Sequence, residues 1–170
     1  MSMKKFIICF LIFGFTSQGF SQITKTEQLS EVVIVATNYK YLNQVGQEEV
    51  AIPVKNLQRK VASYDIKYLD IYSDEYDYYS VSFYIPEGKI LAAYDKDGKI
   101  LYTIEKFNNV ALPNNVASSV AERFPKWKIA KDVYKVNYDV DSGTKKQYKI
   151  VLENGKKRIR IKVDDDGVFL

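Results

Sequence analysis

The groups that could do chemistry in this 170-residue chain are carboxylates, lysines, arginines and tyrosines, because the sequence holds no His and one Cys. Without imidazole there is no Ser-His-Asp triad, no Cys-His pair, no His-ligated zinc and no haem with a proximal His. Nucleotidyl transfer through an HxGH-type motif falls with them. Two acidic clusters remain as hydrolytic candidates, Asp74, Glu75 and Asp77, and Asp164, Asp165 and Asp166. Paired carboxylates run glycoside hydrolysis only when they flank a cleft. Both clusters lie between apolar runs, where acids at loop tips simply face water. The D-x-D-G sequences ending at Gly98 and Gly167 invite a calcium reading. An EF-hand loop needs an Asp five residues before its Gly and a Glu six after it. Ala93 and Ile104 hold those positions around Gly98; Lys162 holds the first around Gly167, and the sequence ends before the last. Hairpin turns are the better reading, and no catalytic residue, metal or cofactor is expected.

Two rows of side chains suit recognition. Alternation along Ile66–Tyr72 sets Tyr68 and Tyr72 opposite Leu69 and Ile71, and along Tyr78–Ile85 it sets Tyr78 and Tyr84 opposite Val81, Phe83 and Ile85. Tyr offers apolar area with a polar tip at low entropic cost, which suits a binding face. Ordinary cross-strand aromatic pairing is the plainer account. Along Lys156–Val163, Arg158, Arg160 and Lys162 oppose Ile159, Ile161 and Val163, with Lys149 on the neighbouring strand. Residues 64–88 carry six acids and one Lys, whereas residues 123–162 carry 13 Lys and Arg against four acids. One sheet is thus expected to present an acidic, Tyr-rich half and a basic half, an asymmetry that steers a partner. A solvated cationic strand that resists edge aggregation is the plainer account here.

The elements that position these rows follow one plan used twice. Ile52-Pro53 opens a run with Val54, Leu57 and Val61 on one face; Leu112-Pro113 opens another with Val116, Val120 and Phe124. Pro fits a first helical turn, so both read as one-sided helices. Strands are expected over Ile66–Tyr72, Tyr78–Ile85, Lys89–Tyr94 and Lys99–Ile104, then over Lys131–Val140, Gln147–Leu152, Lys156–Val163 and Val168–Leu170. Acidic or Asn residues before Gly separate them, a strong hairpin signal. The expected fold is α+β, tandem α-then-β repeats forming one antiparallel sheet with helices packed on one face.

Ahead of this plan, Lys4-Lys5, the apolar run Phe6–Phe15 and the small and polar residues to Ser21-Gln22 read as a secretory signal peptide over 1–21. The run is short for a membrane span, and Cys9 lies inside it rather than at its end. The remaining chain carries a net charge of +2 and no Cys, so its stability must come from core burial. Residues 22–50 read as an extension with one candidate strand, 51–110 as the first repeat and 111–170 as the second. Within the extension, Leu29–Thr37 is similar to the short stretch near the start of TonB-dependent receptor plugs, which implies docking by strand addition.

Leu-Pro before a short helix, Arg123-Phe124-Pro125-Lys126-Trp127, and the run from Tyr148 to Gly167 together resemble the PepSY-like, β-lactamase-inhibitor-like family of Gram-negative periplasmic proteins. The resemblance covers roughly residues 50 to 170. It implies helix-plus-sheet repeats and a tendency to bind or inhibit a partner protein, and carries over no catalytic residue. The expectation is an exported, non-enzymatic binding module in the periplasm or outside the cell. It would hold an envelope protein or peptide on its open sheet face, through Tyr68, Tyr72, Tyr78, Tyr84, Lys149, Arg158, Arg160 and Lys162. Inhibition of a protein or peptidase is one form of that role. No nucleic acid is expected as partner, and no membrane span after signal cleavage. The alternatives are a small carboxylate-dependent envelope hydrolase and a structural envelope protein.

Overall fold

The computed structural model describes residues 37–46, 49–73 and 75–170. The signal segment, most of the candidate strand near Leu29–Thr37, and Asp74 lie outside the described residues. The elements in chain order are α1 (Tyr39–Val45), α2 (Ile52–Ala62), a 3-10 turn (Ile66–Tyr68), β1 (Tyr78–Ile85), β2 (Gly88–Asp95), β3 (Ile100–Asn108), α3 (Asn114–Arg123), β4 (Lys128–Asp139), β5 (Gly143–Asn154) and β6 (Lys157–Val163). The strands form one open sheet in the order β1-β2-β3-β4-β5-β6, every neighbour antiparallel. The architecture is α+β. No helix among the described residues is long and apolar enough to cross a membrane.

The two expected helices form where the Pro and apolar spacing place them. In α2, Pro53 occupies the first turn and Val54, Leu57 and Val61 are buried, each contributing about 1.5–3 kcal/mol. Arg59 and Lys60 sit in its last turn, where cations suit the helix dipole. In α3, Val116 and Val120 are buried and Phe124 caps the end. The D-x-D-G sequences are hairpin turns, and their first Asp is used by the backbone. Asp95 Oδ1 accepts from the N–H groups of Asp97 and Lys99 at 3.0 and 2.9 Å. Asp164 Oδ1 accepts from Asp166 and Val168 at 3.1 and 2.8 Å. Gly98 and Gly167 close the turns at φ 81° and 87°, in the region that favours glycine.

Three expectations need correction. Ile66–Tyr72 is not a strand. Asp65 accepts from the Lys67 N–H at 2.9 Å, and backbone bonds from Leu69 to Ile66 and from Tyr72 to Leu69 close successive turns. Those local bonds consume the donors a ladder would need. Val168–Leu170 makes only a bridge, Val163 to Phe169. Residues 39–45, read as part of an extension, form α1, whose Tyr41 and Val45 are buried.

The three helices of the described residues cover one face of the sheet. Tyr79, Phe83, Ile90, Tyr94, Phe107, Tyr134, Tyr138, Tyr148 and Ile150 from alternate strand positions join Val54, Val61, Val116 and Val120 in one core. Tyr134 stacks on Tyr148 with ring centres 4.4 Å apart, and Tyr41 of α1 meets Tyr138 edge-on at 5.2 Å. Within this core lies a carboxylate, Glu105 of β3, 1% exposed. It accepts from Tyr41 Oη of α1, Gln58 Nε2 of α2 and Thr103 Oγ1 of β3, each at 2.9 Å. Burial pushes the Glu105 carboxyl above its ordinary range, while the Gln58, Tyr41 and Thr103 bonds and then the charge of Lys146 pull it back.

Two outcomes follow for stability. Gly167→Ala places a Cβ 2.6 Å from Ser119 Oγ and 3.0 Å from the Asn115 carbonyl of α3, whereas Gly98→Ala meets nothing within 4 Å. Urea denaturation is expected to show Gly98→Ala losing about 1–2 kcal/mol from left-handed strain alone and Gly167→Ala losing more. For Glu105, the folded state holds the proton more tightly than the unfolded chain. Its contribution is therefore full below the ordinary glutamate range and declines as pH rises through its folded value. The melting temperature of Glu105→Gln relative to the natural protein should accordingly rise from acid to neutral pH. A pH-independent difference would show that the buried carboxyl does not titrate as its surroundings dictate.

Candidate functional site

Among the described residues no helix covers the face of the sheet away from α1, α2 and α3, and the register fixes what that face presents. Tyr79, Val81, Phe83 and Ile85 of β1 point to the core, so Tyr78, Ser80, Ser82 and Tyr84 point outward. Carried across the ladder, one row of this open face reads Tyr84, Lys89, Lys106, Lys135 and Gln147, on β1 through β5. The next row reads Asn108, Val133, Lys149 and Lys162, on β3 through β6. A third reads Lys131, Val151 and Arg160. Together they draw a diagonal of cations, Lys89-Lys106-Lys135-Lys149-Lys162, over five adjacent strands. At about 4.8 Å per strand it runs roughly 19 Å. Leu91 and Ile104 border it on one side, Val133 and Val151 on the other.

Among the described residues the ion pairs are Lys146–Asp165 at 3.5 Å and Arg158–Glu153 at 3.4 Å, and neither involves the diagonal. Lys146 points to the covered face, where it pairs beneath α3. The strain of like charges on the open face registers at Lys149. Lys135 first, then partial loss of solvent, then Lys162 and Lys106 hold its ammonium below the ordinary lysine range.

The expected site residues divide. Lys149, Arg160 and Lys162 lie together on the open face. Arg158 shares it at the sheet's edge and pairs with Glu153. Tyr78 and Tyr84 stand on that face at the opposite edge, 59% and 68% exposed. Tyr68 and Tyr72 do not join them, because the strand that would have carried them is a series of turns. Tyr68 projects from the 3-10 turn, 84% exposed. Tyr72 stacks on Tyr79, a core-face residue, at 5.5 Å, and donates to the Lys96 carbonyl at 3.4 Å. The expected acidic half of the sheet is also absent: Asp65, Asp70, Glu75, Asp77 and Glu87 sit in loops and turns, leaving outward-facing β1 uncharged.

Lys89, Lys106 and Lys135 were not singled out by sequence. Each alternates with a buried neighbour, Ile90, Phe107 and Val136, which is the one signal that could have placed them outward. Their alignment depends on the pairing register. Of the acids proposed for hydrolysis, Glu75 and Asp77 are exposed, and Asp164 and Asp165 are engaged by the turn backbone and by Lys146. A groove of about 330 Å³ lies elsewhere, between Ile52, Pro53 and Leu57 of α2 and Ile85, Pro86 and Glu87 of the first hairpin turn. Relief of like-charge repulsion gives a direct check on the diagonal. Lys149→Gln should raise the urea midpoint at low salt, with a gain that shrinks as salt screens the neighbours. A loss of stability would contradict crowding of like charge around Lys149.

No family model matches the chain, and no curated protein matches it. Among solved structures, a BLIP-like protein from Bacteroides fragilis is similar over 58% of this chain and 68% of its own, with 17% identity and a TM-score of 0.32. A likeness of that size carries no argument about fold or function.

Proposed function

We propose that this protein is an exported, non-enzymatic binding module of the cell envelope that holds a protein or peptide on the open face of its sheet. The observation that carries this reading is the one-sided layering. The three helices of the described residues pack on one face, and the other presents a contiguous cationic diagonal with Tyr84 in its first row. A six-stranded sheet presents a broad, rigid surface on which side chains stand at fixed spacing, and such preorganisation lowers the cost of binding. The non-enzymatic part is supported by the structural use of several of the described acids. Glu105 is enclosed by three donors, and Asp95 and Asp164, the first Asp of each D-x-D-G turn, hold backbone N–H groups. Export rests on the Lys4 to Ser21 segment of the sequence. The order of one helix and three strands, used twice, supports the tandem-repeat and PepSY-like, inhibitor-like reading.

Site-directed masking tests the assignment. In a Cys9→Ser background, a polyethylene glycol chain is attached to a cysteine placed at Asn137, which faces outward on β4, or at Lys60 on the exposed side of α2. The Asn137 label should abolish capture of the partner from envelope extract, and the Lys60 label should leave it intact. The opposite pattern would assign binding to the helical layer.

A further inference from the structure

We propose that the cationic diagonal is a docking track for an acidic, partly apolar protein segment lying across strands β2 to β6. This rests on the binding-module reading and names the partner's chemistry.

Three observations carry it. First, the charge is contiguous and unanswered. Lys89, Lys106, Lys135, Lys149 and Lys162 follow one another on successive strands, and neither ion pair of the described residues draws on them. Arranging like charges side by side costs free energy in the unbound protein, and an arriving anion removes that cost. The lowered proton affinity of Lys149 reports the same tension. Second, the acids that could quench the track are placed away from its middle: Asp95 and Asp139 stand toward one end of the open face, and Glu153 is held by Arg158. Third, the track is edged by apolar side chains. Ile104 is 53% exposed between Leu91 and Asn137, and Val133 and Val151 lie on the other side.

Those borders choose among polyanions. A sulfated glycan or a phosphate headgroup would use the ammonium groups and leave the apolar edges wet. A peptide with carboxylates toward the lysines and aliphatic side chains beside them uses both. The dimensions also agree. An extended chain advances about 3.3 Å per residue, so the roughly 19 Å of track accommodates about six residues, of which alternate ones face the sheet. Lysine suits this loose partner better than arginine would, since its ammonium is a point charge without a fixed fork.

The test uses the full chain and a short fluorescent peptide with Glu at alternate positions and Leu or Ser between. Its Gln counterpart and a sulfated oligosaccharide of equal charge serve as comparators. Binding is read by anisotropy for the natural protein, for Lys106→Gln/Lys135→Gln/Lys149→Gln, and for a charge-matched control, Lys60→Gln/Lys67→Gln/Lys96→Gln. The proposal expects the Glu peptide to bind, the Gln peptide not to, and the track variant to weaken binding at least about tenfold while the control changes it little. Raising salt should weaken the natural protein's binding more than the track variant's. Equal losses in both triple variants would overturn the track, because net charge alone would then explain binding. Tighter binding of the oligosaccharide, lost in the track variant, would overturn the protein partner in favour of a sulfated or phosphorylated one. Absence of binding by the Glu peptide would overturn the proposal outright. The two readings fail separately. If the Asn137 label blocks partner capture but the track variant does not alter it, the open face stands as the binding surface and the track does not.

Discussion

Side chains leave a strand alternately to two faces, and all six strands of this sheet direct most of their large apolar side chains to the same one. That coincidence governs the molecule. It gives the helices one place to pack, since the stripes of α2 and α3 need an apolar surface and the sheet offers it on one side. It also makes register strict, because a slip by one residue would expose Tyr134, Val136 and Tyr138 and bury Lys135. Inside the covered layer, Glu105 adds direction to a packing that hydrophobic contact alone would leave loose. A buried carboxylate is costly without partners. Its three donors come from α1, α2 and β3, so satisfying it ties both helices to that strand.

The same alternation concentrates polar residues on the other face, and the register then turns scattered lysines into a line. The crowding of Lys149 by Lys135 is the local expression of this arrangement. Like charges beside one another are tolerated there because the face is open to water and because the covered layer supplies the stability. The outward side of β1 differs. Tyr78, Ser80, Ser82 and Tyr84 are uncharged, while the outer strand at the opposite edge, β6, carries Arg158, Arg160 and Lys162. A charged edge resists pairing with other chains, and a neutral one has less protection. The two edges are therefore physically unlike, although the strands that form them have nearly equal lengths.

Local chemistry in the sequence was sufficient for most of the elements. Pro53 and Pro113 with their apolar spacing announced α2 and α3, and Gly98, Gly143, Gly155 and Gly167 marked turns that carry positive φ. Six residues of the expected binding face, Tyr78, Tyr84, Lys149, Arg158, Arg160 and Lys162, could be placed outward from alternation alone. The failures also have local causes. Ile66–Tyr72 alternates like a strand, but Asp65 and the succession of 3-10 and turn bonds outcompete a ladder, which removes Tyr68 and Tyr72 from the face. Residues 39–45 are too few to show a helical period clearly, and they become helix through what they pack on.

By itself, then, the sequence determined what β1 and β6 turn inward and outward, where the chain reverses in its Gly turns, and that imidazole chemistry has no residue to act through. Those properties depend on neighbours a few positions apart. The tertiary structure decided which outward residues stand beside one another. Lys89, Lys106, Lys135, Lys149 and Lys162 are separated by up to 73 positions in the chain and become neighbours only through strand order and register. The burial of Glu105 was equally illegible, since a glutamate between Ile104 and Lys106 reads as a surface residue until Tyr41 and Gln58 are brought over it. Both depend on contacts between distant segments, which no local pattern encodes.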